Sequence, residues 1–467
     1  MKTNWSLYLI VASIFIGVVG VTLLSDGMFF DGVIYANFSK VMARNVEGFW
    51  HLRECTNCEE VFGHPPFAIF LESLFFRLFG NTLYTERIFS FLTYIISGYF
   101  IHLIVKSHRP KKAFLSFITL LFWIITPLVT WGAANNMLEN TMTILVLSAT
   151  FLMFQSLKSY SNLNVFVAGV LIFLAFLTKG LVGTFPLIFF MLYWFIFKQI
   201  SFQDALKKTT LLLISFLIPF ILIFIFDNTG KVYLTNYFNN QIVNSIKNTV
   251  TVDSRFFILI KLFNELLPML IISILVLFFN KKQFSFKSIF EKNKTFLFFG
   301  LYGLLGVVPM MVSLKQSGFY ILSALPFFAI AFSFLIIDLL PNLKENQIDF
   351  IQKFKLKPIS IVLFFISLVI MFGQVGKIGR EKEMLHDIYA IEEFVNETDV
   401  ISIPYTLAQD WALKAYFFRY AEIKLSPNPN VLQQYFLIEK NKNDAVLDHY
   451  KKVQSIELQK YDLYKTR

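Results

Sequence analysis

Apolar runs long enough to cross a bilayer recur along most of this chain, and they leave it few possible folds. A segment in hydrocarbon has no water to satisfy its N–H and C=O groups, so each run of about 17–25 apolar residues is predicted to be a helix that closes its own hydrogen bonds. Such runs lie near 7–24, 85–105, 112–131, 138–157, 162–178, 181–197, 209–226, 256–279, 295–313, 318–337 and 358–375, about eleven transmembrane helices in all. Of the 467 residues 56% are hydrophobic and 16% charged, which leaves too little polar surface to cover a soluble globule. The fold class that follows is an α-helical polytopic integral membrane protein. The 58 Phe, 20 Gly and 14 Pro show no period, which excludes collagen-like and low-complexity chains. A net charge of +11 does not point to nucleic acid, because the Lys and Arg form short clusters between the apolar runs instead of a continuous basic stripe.

Those clusters orient the chain. Segments 106–112, 198–208, 280–294 and 338–357 are rich in Lys and Arg and are expected to be cytoplasmic, on the side of Lys2. No A-x-A-like cleavage site precedes Asp26, so the first run reads as an uncleaved anchor. The stretch Phe67 to Phe79 is interrupted by Glu72 and Arg77, and if it crossed it would carry 106–112 outside; it is expected to be interfacial or re-entrant. From Ile34 to Trp50, one helical stripe holds Ile34, Phe38, Val41, Met42, Val46, Phe49 and Trp50, opposite Asn37, Lys40, Arg44 and Glu47. This pattern predicts a helix lying flat on the outer leaflet. From Lys377 the composition changes: acidic and basic residues nearly balance and apolar runs are short. Residues 1–376 are thus read as the membrane domain and 377–467 as a small soluble extracytoplasmic α/β domain. Within it, helices are expected over Met384–Val395 and Asp410–Tyr420, and strands over Asp399–Ile403 and Tyr435–Ile438. No internal repeat suggests inverted halves, which disfavours the usual secondary-transporter architectures.

With this topology, Asp31, His64, Arg87, Glu139, Lys179, Lys315 and Tyr320 fall near the outer ends of their spans. Charges sit at helix ends by default, but ionisable groups half-buried near a bilayer are expensive and usually functional. Two carboxylates and several cations suit a reaction that moves a proton while a phosphate leaves. A carboxylate takes the proton from an acceptor hydroxyl, and Lys and Arg stabilise the oxygens of the leaving group. No P-loop or Gly-rich fingerprint is present, so no nucleotide cofactor is expected and a phosphate substrate would arrive from the membrane. Cys55 and Cys58 form C-T-N-C between His51 and His64. A short-loop disulfide, a Cys2His2 metal site, a redox pair and free thiols all remain open readings.

At these residues the sequence resembles the GT-C integral membrane glycosyltransferases of the protein mannosyltransferase and aminoarabinose transferase type, family 39. DGVIYA (31–36) resembles the family's acidic motif after the first span, GHPPFAIFLESLFFRLFG (63–80) its K-P-P-L segment, and ERIFS (86–90) the start of the next helix. MLEN (137–140) stands at a second acidic site, LTKGLVGTFP (177–186) is similar to L-T-K-G-p-v-g…P, and LKQSGFYILSALP (314–326) to K-x-x-x-Y-l-L-P-x-l-P. The resemblance covers about residues 5–340. Gly32 stands where many relatives carry a second acid, His64 replaces the Lys before Pro-Pro, Glu139 replaces Asp, and Ser323 replaces the first Pro after Tyr320.

The resemblance implies an inverting glycosyltransferase that takes a sugar from a polyprenyl-phosphate donor in the membrane lipid and passes it to a lipid, protein or glycan acceptor. It implies a multi-pass protein of the bacterial plasma membrane with its active site facing outside. Asp31 is then the candidate base, Glu139 a second catalytic or metal-linked site, and Tyr35, His64, Arg87, Lys179, Lys315 and Tyr320 the substrate-binding residues. A divalent metal ion stays open as a cofactor, with His51, Cys55, Cys58 and His64 as the ligands on offer; carboxylates spaced for Ca or Mg are absent from the sequence. The reading from a different class is a transporter or flippase of lipid-linked glycans, which would place its charges nearer the bilayer midplane.

Overall fold

The computed structural model describes residues 5–44, 48–55, 58–109, 113–279, 293–339, 356–396, 399–427, 431–440, 442 and 449–467. Within these, seven helical stretches are long and apolar enough to cross a membrane: Trp5–Leu23, Thr85–His108, Leu138–Ser159, Asn162–Phe197, Phe202–Phe226, Phe257–Phe278 and Lys294–Val312. An eighth is a bent pair, Phe114–Ile124 and Pro127–Ala134, whose axes meet at 72°. The bend falls where Pro127 opens the second helix and Thr126 before it is extended, as the ring of a proline requires of its predecessor. Two shorter apolar helices, Leu325–Ile337 and Leu356–Phe372, correspond to the last two expected spans.

The sequence predicts two spans over 162–178 and 181–197, whereas the helical run Asn162–Phe197 is unbroken over 36 residues. It nevertheless reverses direction. Gly180 has φ +74°, and a Cβ on Gly183 would lie 2.8 Å from the carbonyl oxygen of Ala175. Residues eight apart in a straight helix are about 12 Å apart. The helix Asn162–Lys179 (α8 below) therefore runs to Gly180 and folds back on itself through a 3-10 segment, Gly180–Ile188.

Numbered from the start, the helices that carry the site are α1 (Trp5–Leu23), α2 (Phe30–Arg44), α3 (Phe67–Phe79), α4 (Thr85–His108), α5 (Ala113–Ile124), α6 (Pro127–Ala134), α7 (Leu138–Ser159) and α8 (Asn162–Lys179). At 13 residues, about 20 Å long, α3 is too short to cross. It starts after Pro65 and Pro66 and stops at Gly80, φ +75°. Between α1 and the Leu356–Phe372 helix, small residues allow close approach: a Cβ on Gly20 would lie 2.7 Å from that of Met371, and one on Gly17 3.7 Å from that of Ser367. Just beyond both helices, Asp26 donates its N–H to Lys377 O at 2.8 Å and bridges to Ile378. The first and last apolar helices thus end together at the base of the C-terminal domain.

That domain is a five-stranded sheet ordered β2-β1-β3-β5-β4, from strands Val400–Ser402, Lys424–Ser426, Tyr435–Glu439, Tyr450–Lys452 and Tyr461–Thr466. β1 runs parallel to β2 and β3, while β5 is antiparallel to β3 and β4. Helices Lys382–Glu392 and Trp411–Ala421 share a core with it, including Leu385, Ile388, Ile401, Leu413, Phe417, Leu437 and Leu463. The helix Trp411–Ala421 also packs on α2, and here the structure departs from the sequence reading. Asn37, Lys40 and Arg44 do not form a water-facing stripe. Asn37 Nδ2 donates to Ala415 O at 2.9 Å, Lys40 Nζ to Phe418 O at 2.7 Å, and Arg44 holds Glu422 with two bonds of 2.6 and 2.7 Å. Below them Arg419, buried, pairs with buried Glu86 of α4 at 2.6 Å.

Candidate active site

Lys179 is the last residue of α8, and Gly180, in a conformation that favours glycine, lets the chain turn immediately behind it. The ammonium is buried. It donates to Tyr35 Oη at 3.1 Å and lies 3.2 Å from Glu139 Oε1. The rings of Tyr35, Phe319 and Tyr320 surround it with centroids at 5.3, 5.5 and 5.7 Å. Glu139 is fully buried in the first turn of α7, where the helix N-terminus favours negative charge. Lys179 is its buried counter-ion.

Asp31 occupies the same position in α2, the first turn, and is only partly buried. Burial raises its carboxyl above the usual range, while the charge of Lys179 acts in the opposite direction. Four residues on, Tyr35 shares the face of α2 with Asp31. Its hydroxyl meets His64 Nε2 at 3.3 Å, and His64 O accepts from Tyr233 Oη at 2.7 Å. Burial, then Lys179 and Lys315, push His64 well below its ordinary pKa, so the imidazole is neutral. Lys315 Nζ donates to Gln241 Oε1 at 2.8 Å, and burial, then Lys179, pull its ammonium down. Tyr320 lies in the 3-10 turn Gly318–Ile321, half-buried beside Lys179.

Asp31, Tyr35, His64, Glu139, Lys179, Lys315 and Tyr320 are therefore brought into one neighbourhood, linked by hydrogen bonds, ring contacts or the field of Lys179. Arg87 is not among them. It is buried, and its guanidinium donates to the carbonyls of Thr22, Leu23 and Gly27 at 2.9, 3.0 and 3.1 Å, capping the end of α1. Nor are the residues offered as metal ligands gathered. Cys55 and Cys58 are joined by a disulfide, His51 Nδ1 bonds Glu60 at 2.6 Å, and His64 faces Tyr35. Among the described residues no three His, Cys, Asp or Glu converge as a ligand set, and Glu139 is already balanced by an ammonium. Among the described residues the side chains do not form a set that fits a divalent ion.

Several neighbours were not legible in the motifs. Phe29, Trp131 and Phe319 form a ring cluster with centroids 5.2 to 6.0 Å apart, and Trp131 separately lines a cavity of about 380 Å³ with Thr22, Met28, Asn135 and Arg380. Asn136, at φ +48°, donates to Glu72 Oε1 at 2.8 Å, and Ser39 to Glu72 Oε2 at 2.9 Å. Gln241 has no motif of its own, although the polar run 227–248 between two spans is dense in Asn and marks it as a surface element.

The family model for dolichyl-phosphate-mannose-protein mannosyltransferases matches residues 63–225. No curated protein matches the sequence. Among solved structures, ArnT from Cupriavidus metallidurans bound to undecaprenyl phosphate is similar at a TM-score of 0.69 and 14% identity, covering 99% of this chain and 98% of that one. The Archaeoglobus fulgidus oligosaccharyltransferase in its apo form is similar at 0.56 and 12% identity, over 94% of this chain and 70% of that one. Tethered to an acceptor peptide containing the NVT sequon, it is similar at 0.51 and 12%, over 92% and 64%. At these identities the likeness is one of fold. The two findings agree with the resemblance read from the motifs: residues 63–225 match the model of a membrane mannosyltransferase family, and the chain shares its fold with ArnT and the oligosaccharyltransferase.

Proposed function

We propose that the chain transfers a sugar from a polyprenyl-phosphate carrier to an acceptor hydroxyl at the outer face of the membrane, with inversion. In this reading Asp31 takes the acceptor proton. The acceptor oxygen bonds to the anomeric carbon as the bond to phosphate breaks, and that electron pair leaves on the phosphate. One direct displacement inverts the anomeric centre. Lys315 and Lys179 stabilise the charge that develops on the leaving oxygen, which is where preorganised cations contribute most. His64, neutral, offers a hydrogen bond without adding charge. Glu139 balances Lys179 and keeps a buried ammonium charged and aimed.

The observation that carries this reading is the unequal environment of the two carboxylates around one lysine. Glu139 is buried and paired, whereas Asp31 is partly exposed and raised towards neutrality. Such different surroundings for two acids divide their roles, one as a counter-ion and the other open to an acceptor. A polyprenyl-phosphate donor is supported by the fold shared with ArnT, a protein solved with undecaprenyl phosphate. The outer face is supported by the Lys- and Arg-rich segments at the opposite ends of the spans.

The deciding experiment compares transfer from a radiolabelled polyprenyl-phosphate sugar by wild type and Asp31→Asn at equal folded concentration. Asparagine keeps size and hydrogen bonding but does not take the proton. The expected loss is roughly 10²–10⁴-fold in kcat with donor binding retained. Near-normal turnover would leave Asp31 as no more than a residue of the first turn of α2.

A further inference from the structure

Between α11 (Asn228–Tyr237) and α12 (Asn244–Lys247), with α9 (Phe189–Phe197) and α10 (Phe202–Phe226) preceding them, the segment Phe238–Val243 is wound as a π-helix. Single π-turns are rare and recur at functional sites. This one follows directly on Tyr237, which packs against the turn behind Lys179. Tyr237 packs against Gly180, where a Cβ would lie 2.1 Å from its hydroxyl, and Gln241 comes to face both Lys315 and the Gly63–His64 turn.

The carboxamide of Gln241 has a fixed orientation. An ammonium only donates, so the 2.8 Å contact from Lys315 Nζ requires Oε1 on that side. Nε2 with its two donors is then turned the other way, and a Cβ on Gly63 would lie 3.6 Å from it. Lys315 is seated in its turn: its N–H donates to Ser313 Oγ at 2.9 Å, and that hydroxyl donates to Ser245 O of α12 at 2.5 Å. Among the described residues neither Lys315 nor Gln241 pairs with a carboxylate, although Asp31 and Glu139 are close to Lys179. The corner made by Lys315 Nζ, Gln241 Nε2 and the Gly63–His64 turn thus presents donors and one uncompensated positive charge.

We infer that Gln241 is a ligand of the donor's phosphate, placed beside Lys315 by the π-turn, with Nε2 donating to a phosphate oxygen that the ammonium also holds. The inference rests on the polyprenyl-phosphate reading above and names a residue for it outside the family motifs.

The test titrates undecaprenyl phosphate against the full-length protein in nanodiscs and measures donor KM and kcat, for wild type, Gln241→Glu, Lys315→Met and the double variant of Lys315→Met with Gln241→Leu. Thermal unfolding reports on folding. Glutamate keeps an acceptor for Lys315 but replaces the Nε2 donors with an anionic oxygen. A phosphate ligand therefore predicts binding weakened at least tenfold and a matching rise in KM with little change in kcat, the pattern of a contact present before and during departure. If Gln241 only anchors Lys315, adding Gln241→Leu to Lys315→Met weakens binding no further than Lys315→Met alone, which overturns the inference, whereas a further severalfold loss in the double variant supports it. If Gln241→Glu does not fold, that comparison decides. Wild type that binds no undecaprenyl phosphate would overturn the functional reading itself, and this inference with it.

Discussion

Lys179 answers to two carboxylates, and their difference can be read in a pH profile. Asp31 must be ionised to act as a base, so kcat/KM is expected to fall as pH drops through its pKa. Burial holds that pKa above the usual carboxylate range of about 3.9, so the acid limb should lie above it. The positive charge of Lys179 opposes burial, so Lys179→Met is expected to move the limb to still higher pH, whatever it does to the plateau. A limb that stays in place in the variant would separate Asp31 from Lys179. At this scale the sequence was informative because Asp31, Glu139 and Lys179 sit in motifs with a chemical reason for their residue types. Arg87 sits in one too, but whether a guanidinium faces a cavity or the carbonyl end of a neighbouring helix depends on a packing partner 60 to 65 residues away. Gln241 is legible only once Lys315 is placed beside it.

For α2 the decisive contacts are with its neighbours. Glu72 of α3 accepts from Ser39 of α2 and from Asn136, three residues before Glu139, so one buried carboxyl fixes the helix bearing Asp31 against the turn that leads into Glu139. Burial, with Glu86 adding to it, pushes Glu72 up to about 8. Because this folded-state value is above that of an unfolded chain, about 4.3, its contribution is complete at acid pH and is lost as pH rises through about 8. Glu72→Gln is expected to fold normally and to flatten this slope, as read by thermal unfolding at pH 5 and 8. Glu72→Leu leaves Ser39 and Asn136 without their acceptor, at about 1–3 kcal/mol for each buried group. Hydropathy placed α2 and α3 correctly as helices that do not span. It misjudged the polar face of α2, because a stripe facing water and a stripe docked on another polar element have the same periodicity.

Across the whole molecule, the membrane domain and the C-terminal domain are locked by the buried Arg419–Glu86 pair. Arg419→Met leaves Glu86 as an unpaired buried charge, a loss of about 3–5 kcal/mol by analogy with other broken pairs. Residues 377–467 are expected to become protease-sensitive in the variant while the spans stay protected; unchanged protection would mean the apolar contacts alone hold the domain. The proposed sidedness has its own test: a reporter active only in the cytoplasm, fused after Arg467, is expected to be silent. Bilayer physics made the spans legible, since each apolar run has only one way to satisfy its backbone. The sheet was harder to read because β1, β2 and β4 have three residues each, too few for a periodic signal.

The joining of α1 to the Leu356–Phe372 helix, and of α2 to Trp411–Ala421, bears on the order in which the molecule is made. Ribosomal synthesis delivers Asn37 and Lys40 early and their partners last. For most of translation α2 is held through Ser39 and Glu72 on one side, while its amide and ammonium have nothing to be buried against on the other. The helix that carries the proposed base is completed only when the final stretch of chain arrives. If Asp31 is the base, transfer is expected to begin only after that last stretch has docked.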